Sequence, residues 1–262
     1  MTRPGTILSI LVFVFWSTMN TLLVLRERRV ASLEQYRAGV TTFLGNAFFR
    51  ERWMSIHRKS KYLGYTGGTL EKTFTTDGIA IWQTLESRVE IDPLGPIEIS
   101  GTLVSDQELH PLTLTVSVQT NTLQAQVTGH RSGSKFSVQV KNNLLPLPTL
   151  ELPLEELLLG DALGPSFPIA GFKVGEKLDV PCFDPLTLKR DIAQVRVVSR
   201  EVKEFDGILV DAYQLETAFK GIKSRSWVND AGELLLAELG PPLQDYVLRR
   251  TTKADIQKLE KR

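Results

Sequence analysis

Ile79-Ala80-Ile81-Trp82-Gln83-Thr84-Leu85-Glu86-Ser87-Arg88-Val89-Glu90-Ile91 decides how the rest of the chain reads. Ile79, Ile81, Leu85, Val89 and Ile91 share one parity, and Thr84, Glu86, Arg88 and Glu90 take the other. Alternation with period two marks a strand with one dry face and one wet face. The pattern returns in Ile97, Ile99 and Leu103, in Leu112, Leu114, Val116 and Val118, in Leu123, Ala125 and Val127, and in Phe136, Val138 and Val140. Turn-forming residues separate these runs and no helical period intervenes, which predicts an antiparallel meander.

Upstream, Arg52–His57 and Tyr62–Phe74 read as strands, the second interrupted by Gly64, Gly67 and Gly68. Glycines so placed suit a bent or bulged strand, so curvature is expected early in the sheet. Asp92-Pro93-Leu94-Gly95-Pro96 predicts a hairpin turn, because proline presets one backbone angle and glycine tolerates the other. Later turns fall at Asn121, at Gly129–Ser134 and at Asn142-Asn143.

The rhythm breaks between Leu144 and Gly175, where Leu150, Leu152, Leu154, Leu157, Leu158 and Leu159 surround Glu151, Glu155 and Glu156. A short helix near 153–163 fits, with proline in its first turn. Its leucines need cover, either the concave side of the sheet, as a plug, or a dimer surface. Strands resume at Lys177–Val180, Ile192–Val202, Ile208–Thr217, Lys223–Val228, Glu233–Glu238 and Tyr246–Arg250, and the charged tail 252–262 reads as a solvated helix.

Thr6–Leu25 carries no charged side chain, and about 20 apolar residues of helix cross a bilayer core. The alternatives are a cleaved signal peptide and a buried core helix. Arg26, Glu27, Arg28 and Arg29 stand where a small-residue cleavage site would be needed, which favours an uncleaved anchor. Val30, Leu33, Tyr36, Val40 and Phe43 then recur at helical spacing, predicting an amphipathic stalk over 26–46. The basic residues after the span favour a cytoplasmic body, although long domains translocate largely regardless of such charges.

The expected fold is therefore mainly β. One strongly curved antiparallel sheet, a half-barrel, encloses a short helix, and a transmembrane helix and stalk precede it. The chain divides into a tail 1–5, an anchor 6–25, a stalk 26–46, a β-domain 47–251 and a tail helix 252–262.

Composition narrows the chemistry. With 31 basic and 30 acidic residues the formal charge is +1, so no global field favours nucleic acid. The single cysteine, Cys182, excludes an intrachain disulfide and a thiolate-built zinc or iron–sulfur centre. His57, His110 and His130 have no metal-ligand spacing, so no metal site and no cofactor are expected. Cys182 lies between Pro181 and Phe183 with no local base or cation to activate it, and reads as a structural thiol. Gly64-Tyr65-Thr66-Gly67-Gly68 lacks the lysine of a phosphate loop and opens no helix. No catalytic residues are assigned, and the chain is not expected to be an enzyme. Trp82, Trp227 and Trp53 read as core or as ligand-lining residues.

Lys61-Tyr62-Leu63-Gly64-Tyr65, Glu98-Ile99-Ser100-Gly101-Thr102-Leu103, Val180–Thr187 and Trp227-Val228-Asn229-Asp230-Ala231-Gly232-Glu233 together resemble an uncharacterised exported bacterial β-domain family, found alone or beside transglutaminase-like proteins. That family is similar in outline to the lipoprotein-carrier (LolA/LolB-like) fold. The resemblance implies an envelope location, a curved sheet that can hold acyl chains, and no catalytic residues. It points to a single-pass protein of the bacterial inner membrane, its body periplasmic, with a cytoplasmic body as the competing reading.

Two functions follow as expectations. The first is a non-catalytic anchored domain binding a lipid, a lipoprotein acyl chain or a partner protein, with Trp82, Leu85, Leu154, Leu157, Leu158 and Trp227 as concave-face or plug candidates. The second is a structural or assembly subunit of an envelope complex, held through its anchor.

Overall fold

The computed structural model describes residues 49–76, 78–91, 95–108, 110–143, 148–153, 172–184, 189–219, 221–241 and 243–261. The alternating runs form strands throughout, and the strands join in one antiparallel sheet. These are β1 (Phe49–Arg58), β2 (Lys61–Thr75), β3 (Gly78–Ile91), β4 (Gly95–Ser105), β5 (Pro111–Gln119), β6 (Gln124–Ser132), β7 (Lys135–Asn142) and β8 (Leu150–Pro153). The second series is β9 (Lys177–Asp184), β10 (Lys189–Phe205), β11 (Ile208–Phe219), β12 (Ile222–Val228), β13 (Leu234–Leu239) and β14 (Tyr246–Thr251), followed by a short helix, α1 (Lys253–Leu259).

The sheet is 14-stranded and open, with β8 and β9 as its edges and β1 hydrogen-bonded to β14 in its interior. From β1 the chain steps outward, strand by strand, to β8. It resumes at the opposite edge with β9 and steps back inward to β14. Every neighbouring pair is antiparallel, as the meander predicts.

Among the described residues no helix is long and apolar enough to cross a membrane. The expected anchor 6–25 and stalk 26–46 lie outside the described residues, as does the helix expected near 153–163 beyond Pro153. Where the leucine-rich stretch is described it is a strand: Leu150, Glu151, Leu152 and Pro153 pair with β7 as its outer neighbour. Proline is tolerated there because one side of an edge strand needs no donor. For the same reason β9, expected to stop at Val180, runs on through Pro181 to Asp184.

The glycines of β2 are used as their positions suggest. A register shift between Ile56 and His57 faces Gly64, whose φ is +149°, and a side chain at Gly64 would collide with the Arg88 carbonyl. At Gly67 a side chain would enter the Trp53 ring. The β10–β11 hairpin closes through Asp206 and Gly207, both at positive φ, in the two-residue turn whose twist matches that of paired strands.

Cross-strand partners share a face, so the registers trace one apolar surface through the sheet. In one half it carries Leu103, Leu114, Phe136 and Val138, with Leu85, Val116, Val127 and Leu152 packed against them. In the other it carries Met54, Ile81, Leu178, Val195, Val197, Tyr213, Leu215, Val228, Leu234 and Ala237, joined by Phe172. Fully burying each Leu or Val contributes about 1.5–3 kcal/mol. On the opposite face, α1 docks through Ile256 against Trp53 and Tyr65, and Thr252 caps it by accepting from the Asp255 N–H at 3.1 Å.

Candidate functional site

Between β9 and β14 the rows of the sheet change character. Leu178 pairs with Val195, Val195 with Thr217, Thr217 with Ser224 and Ser224 with Leu239. The adjacent row, pointing to the other face, is Lys177, Arg196, Glu216, Arg225, Glu238 and Val247, each beside the next. A further row places Asp179 beside Gln194 and Ala218 beside Lys223.

These rows line a concavity of about 800 Å³, to which Gly240 and Gln244 of the β13–β14 connection also contribute. That volume lies within the range of ligand pockets, roughly 300–1,000 Å³. Its charges are unevenly paired. Arg225 meets Glu238 at 3.8 Å, whereas Lys177, Arg196 and Lys223 have no ion-pair partner among the described residues. Lys177 and Arg196 stand directly opposite each other, an arrangement that costs stability because like charges repel across a strand pair.

Two hydroxyls near this region are buried without a hydrogen-bond partner: Thr217 Oγ1, in the lining, and Ser226 Oγ, on the apolar face. Ser226 is 3% exposed. Buried polar atoms left unbonded are uncommon, since each gives up its hydration for nothing in return.

The sequence candidates separate. Leu85 lies on the apolar face against the Phe136 cluster. Trp82 lies on the opposite face, 43% exposed, because its parity differs from that of Leu85. Trp227 is buried in a fourth cluster with Ala212 and Leu235, against which Phe205 and Val210 pack. Leu154, Leu157 and Leu158 lie outside the described residues. The lining residues of the concavity were not singled out from the sequence. Lys177, Arg196, Glu216 and Arg225 looked like the wet face of ordinary strands, and only their alignment across four hairpin-linked strands gathers them.

The Trp227 cluster is built by the β10–β11 hairpin, which extends beyond the end of β12: pairing with β12 begins only at Tyr213. The free arm turns onto the sheet, where Glu201 accepts the Trp227 indole N–H at 2.7 Å and Lys203 Nζ covers the ring. Arg200 and Asp211 brace the arm through a bidentate ion pair.

The histidines stay apart. His57 contacts Ser55 Oγ at 3.0 Å and Tyr62 edge-on, and burial first, then the Arg249 charge, pushes its pKa below the ordinary value. His130 is exposed on β6. His110 approaches Asp106 and Glu108, whose ligand atoms and its own lie within 4.8 Å of one another. Asp106 is already committed: Oδ1 accepts from the Glu108 and His110 amides, and Oδ2 meets Arg131 at 2.9 Å. Its geometry is that of a turn-forming aspartate. Cys182 pairs through its backbone with Asp191 on β10. Tyr65 donates to Glu86 at 2.8 Å, and burial with that bond drives its pKa well above the ordinary phenol range.

No family model matches the chain, and no curated protein matches it. Among solved structures, it is similar to the crystal structure of a beta-barrel-like protein of the domain of unknown function DUF1849 from Brucella abortus. The identity is 12% and the TM-score 0.40, over 78% of this chain and 94% of that one. At that level the likeness transfers neither a fold nor an activity.

Proposed function

We propose that this chain is a membrane-anchored, non-catalytic envelope β-domain that binds an apolar ligand with an acidic head, such as a fatty acid or a lipid acyl chain. The concavity between β9 and β14 carries the reading, since its lining gathers Lys177, Arg196 and Lys223, three cations with no ion partner among the described residues, on the face that also carries Ala218 and Val247. A cationic hollow with apolar positions among its charges suits an acyl ligand ending in a carboxylate or phosphate.

Curvature supports the same reading. Twisted open sheets rarely pass about ten strands without curling, and this one has 14. The bulge at Ile56 and His57 and the close approach at Gly64 supply bends in its middle. Residues 6–25 anchor the domain, which lies on the periplasmic side of the inner membrane.

Titration of the delipidated full chain with a fluorescent palmitate tests the reading. Saturable binding is expected, with a weaker response to the corresponding alcohol. The double variant Arg196→Glu, Lys223→Glu should lose at least about tenfold in affinity, or about 1.4 kcal/mol, with an unchanged melting temperature. A folded chain that shows no saturable binding would overturn it.

A second reading, an assembly subunit of an envelope complex, has its own observation. Val202, Ile208 and Leu209 on the β10–β11 arm are 66%, 66% and 70% exposed. Photocrosslinking from position 209 in native membranes separates the two, because a discrete adduct that survives loss of palmitate binding belongs only to the assembly reading.

A further inference from the structure

We propose that the concavity between β9 and β14 takes a zwitterionic head, a phosphate joined to an ammonium through two carbons, as in an ethanolamine phospholipid. The proposal rests on the ligand reading above and narrows the head from any acid to one that carries both signs.

The order of charges carries it. Along the row Lys177, Arg196, Glu216, Arg225 and Glu238 the signs alternate from Arg196 onward, so each of those charges has an opposite neighbour across a strand pair. Lys177 beside Arg196 is the break in that alternation. Two cations held side by side favour an anion between them, and a guanidinium offers phosphate a planar pair of donors.

Carboxylates border that place on both sides. Glu216 follows Arg196 in the row, and Asp179 lies two residues from Lys177 on the same face of β9, opposite Gln194. Arg225 and Glu238 satisfy each other at 3.8 Å, whereas Asp179 and Glu216, like Lys177 and Arg196, form no ion pair among the described residues. A bare carboxylate or phosphate seated between Lys177 and Arg196 would face both negative charges at close range, an arrangement that selects against it. A head with a cationic arm makes partners of them instead. The two-carbon bridge of ethanolamine carries its ammonium about as far as one strand spacing, roughly 4.7–4.9 Å, which is the step from Arg196 on β10 to Glu216 on β11. In the adjacent row Gln194 and Ala218 are uncharged and leave the acyl part of the ligand a path away from the charges.

The test challenges the delipidated full chain, loaded with fluorescent palmitate in an uncharged detergent, with competing ligands. These are palmitoyl lysophosphatidylethanolamine, the lysophosphatidylglycerol of the same chain, and glycerophosphoethanolamine, which has the head without the chain. The ethanolamine lysolipid should displace the probe at about tenfold lower concentration than the glycerol one. Asp179→Asn combined with Glu216→Gln keeps the side-chain shapes and removes both negative charges. It should erase that preference, with the glycerol lysolipid bound more tightly than by the parent. Equal displacement by the two lysolipids in the parent would overturn the zwitterionic head and leave the acyl site standing, and so would a preference that survives the double variant. Where the preference holds, the acyl-free head separates its sources. Failure to displace the probe assigns the head to a lipid, and displacement as strong as by the lysolipid assigns it to a soluble ester. A folded chain with no saturable palmitate binding would remove the ligand reading and the zwitterionic head together.

Discussion

Lys203 Nζ lies 3.5 Å from the centre of the Trp227 ring, the indole N–H of which is held by Glu201, two residues away from Lys203 along β10. One tryptophan thus fastens the free end of the β10–β11 hairpin to the body of the sheet. Trp227→Phe keeps the ring and removes the donor. It should destabilise the domain by about 1–2 kcal/mol, because the bond runs to a charged acceptor. Amide exchange should accelerate over residues 200–211 and stay unchanged in β4–β6; uniform acceleration would refute the local fastening.

Gly64→Ala should be among the most damaging substitutions in the chain. Its φ of +149° is unsuited to a side chain, and the added methyl would meet the Arg88 carbonyl on β3. Strain plus collision against backbone is expected to cost about 3 kcal/mol or more. Urea unfolding should show the midpoint falling sharply, whereas Gly133→Ala, where nothing lies within 4 Å, should pay only for its φ of +61°.

His57 gives the domain a pH dependence of known sign. Its folded pKa lies below the ordinary 6.5, chiefly through burial and next through Arg249. The folded state thus prefers the neutral imidazole, and the unfolded chain binds the proton more readily. Stability should be fully present above the unfolded value and should decline as pH falls through it. Denaturation midpoints measured between pH 8 and pH 5 should show a smaller decline in His57→Gln than in the parent; an identical decline would assign the effect elsewhere.

Ser226→Ala removes a buried hydroxyl that has no partner. The change should leave stability unaltered or raise it by up to about 1 kcal/mol, the opposite of the usual outcome for a core substitution. Calorimetry in the absence and presence of palmitate separates two roles, because a hydroxyl that receives the ligand would cost affinity when removed.

The strands themselves were legible because period-two alternation survives wherever one face is dry. The run from Ile79 to Ile91 became β3 almost residue for residue, and the chain turned at Asn121, where its composition said it would. Partnership between distant strands was not legible. Nothing local in Arg52–His57 announces that its neighbour is Tyr246–Thr251, since that choice depends on the twist accumulated by all the strands between. The same gap explains the tryptophans. Trp82 and Leu85 looked equivalent as bulky strand residues, yet odd spacing placed them on opposite faces, and only the arm over Trp227 buried it. The lining of the concavity was hidden for a related reason: exposed charges on separate strands look alike until the registers align them.

The pairing of β1 with β14 sets an order of events during synthesis. Ser55 and Arg249 are 194 residues apart in the chain, and Ser55 Oγ donates to the Arg249 carbonyl across that join. The strands β1–β8 leave the ribosome as a ladder with one side of β1 still unsatisfied, an edge open to stray pairing. The second ladder grows from β9, and Tyr246–Thr251, the last strand of the sheet to be made, is the zip that turns two half-sheets into one.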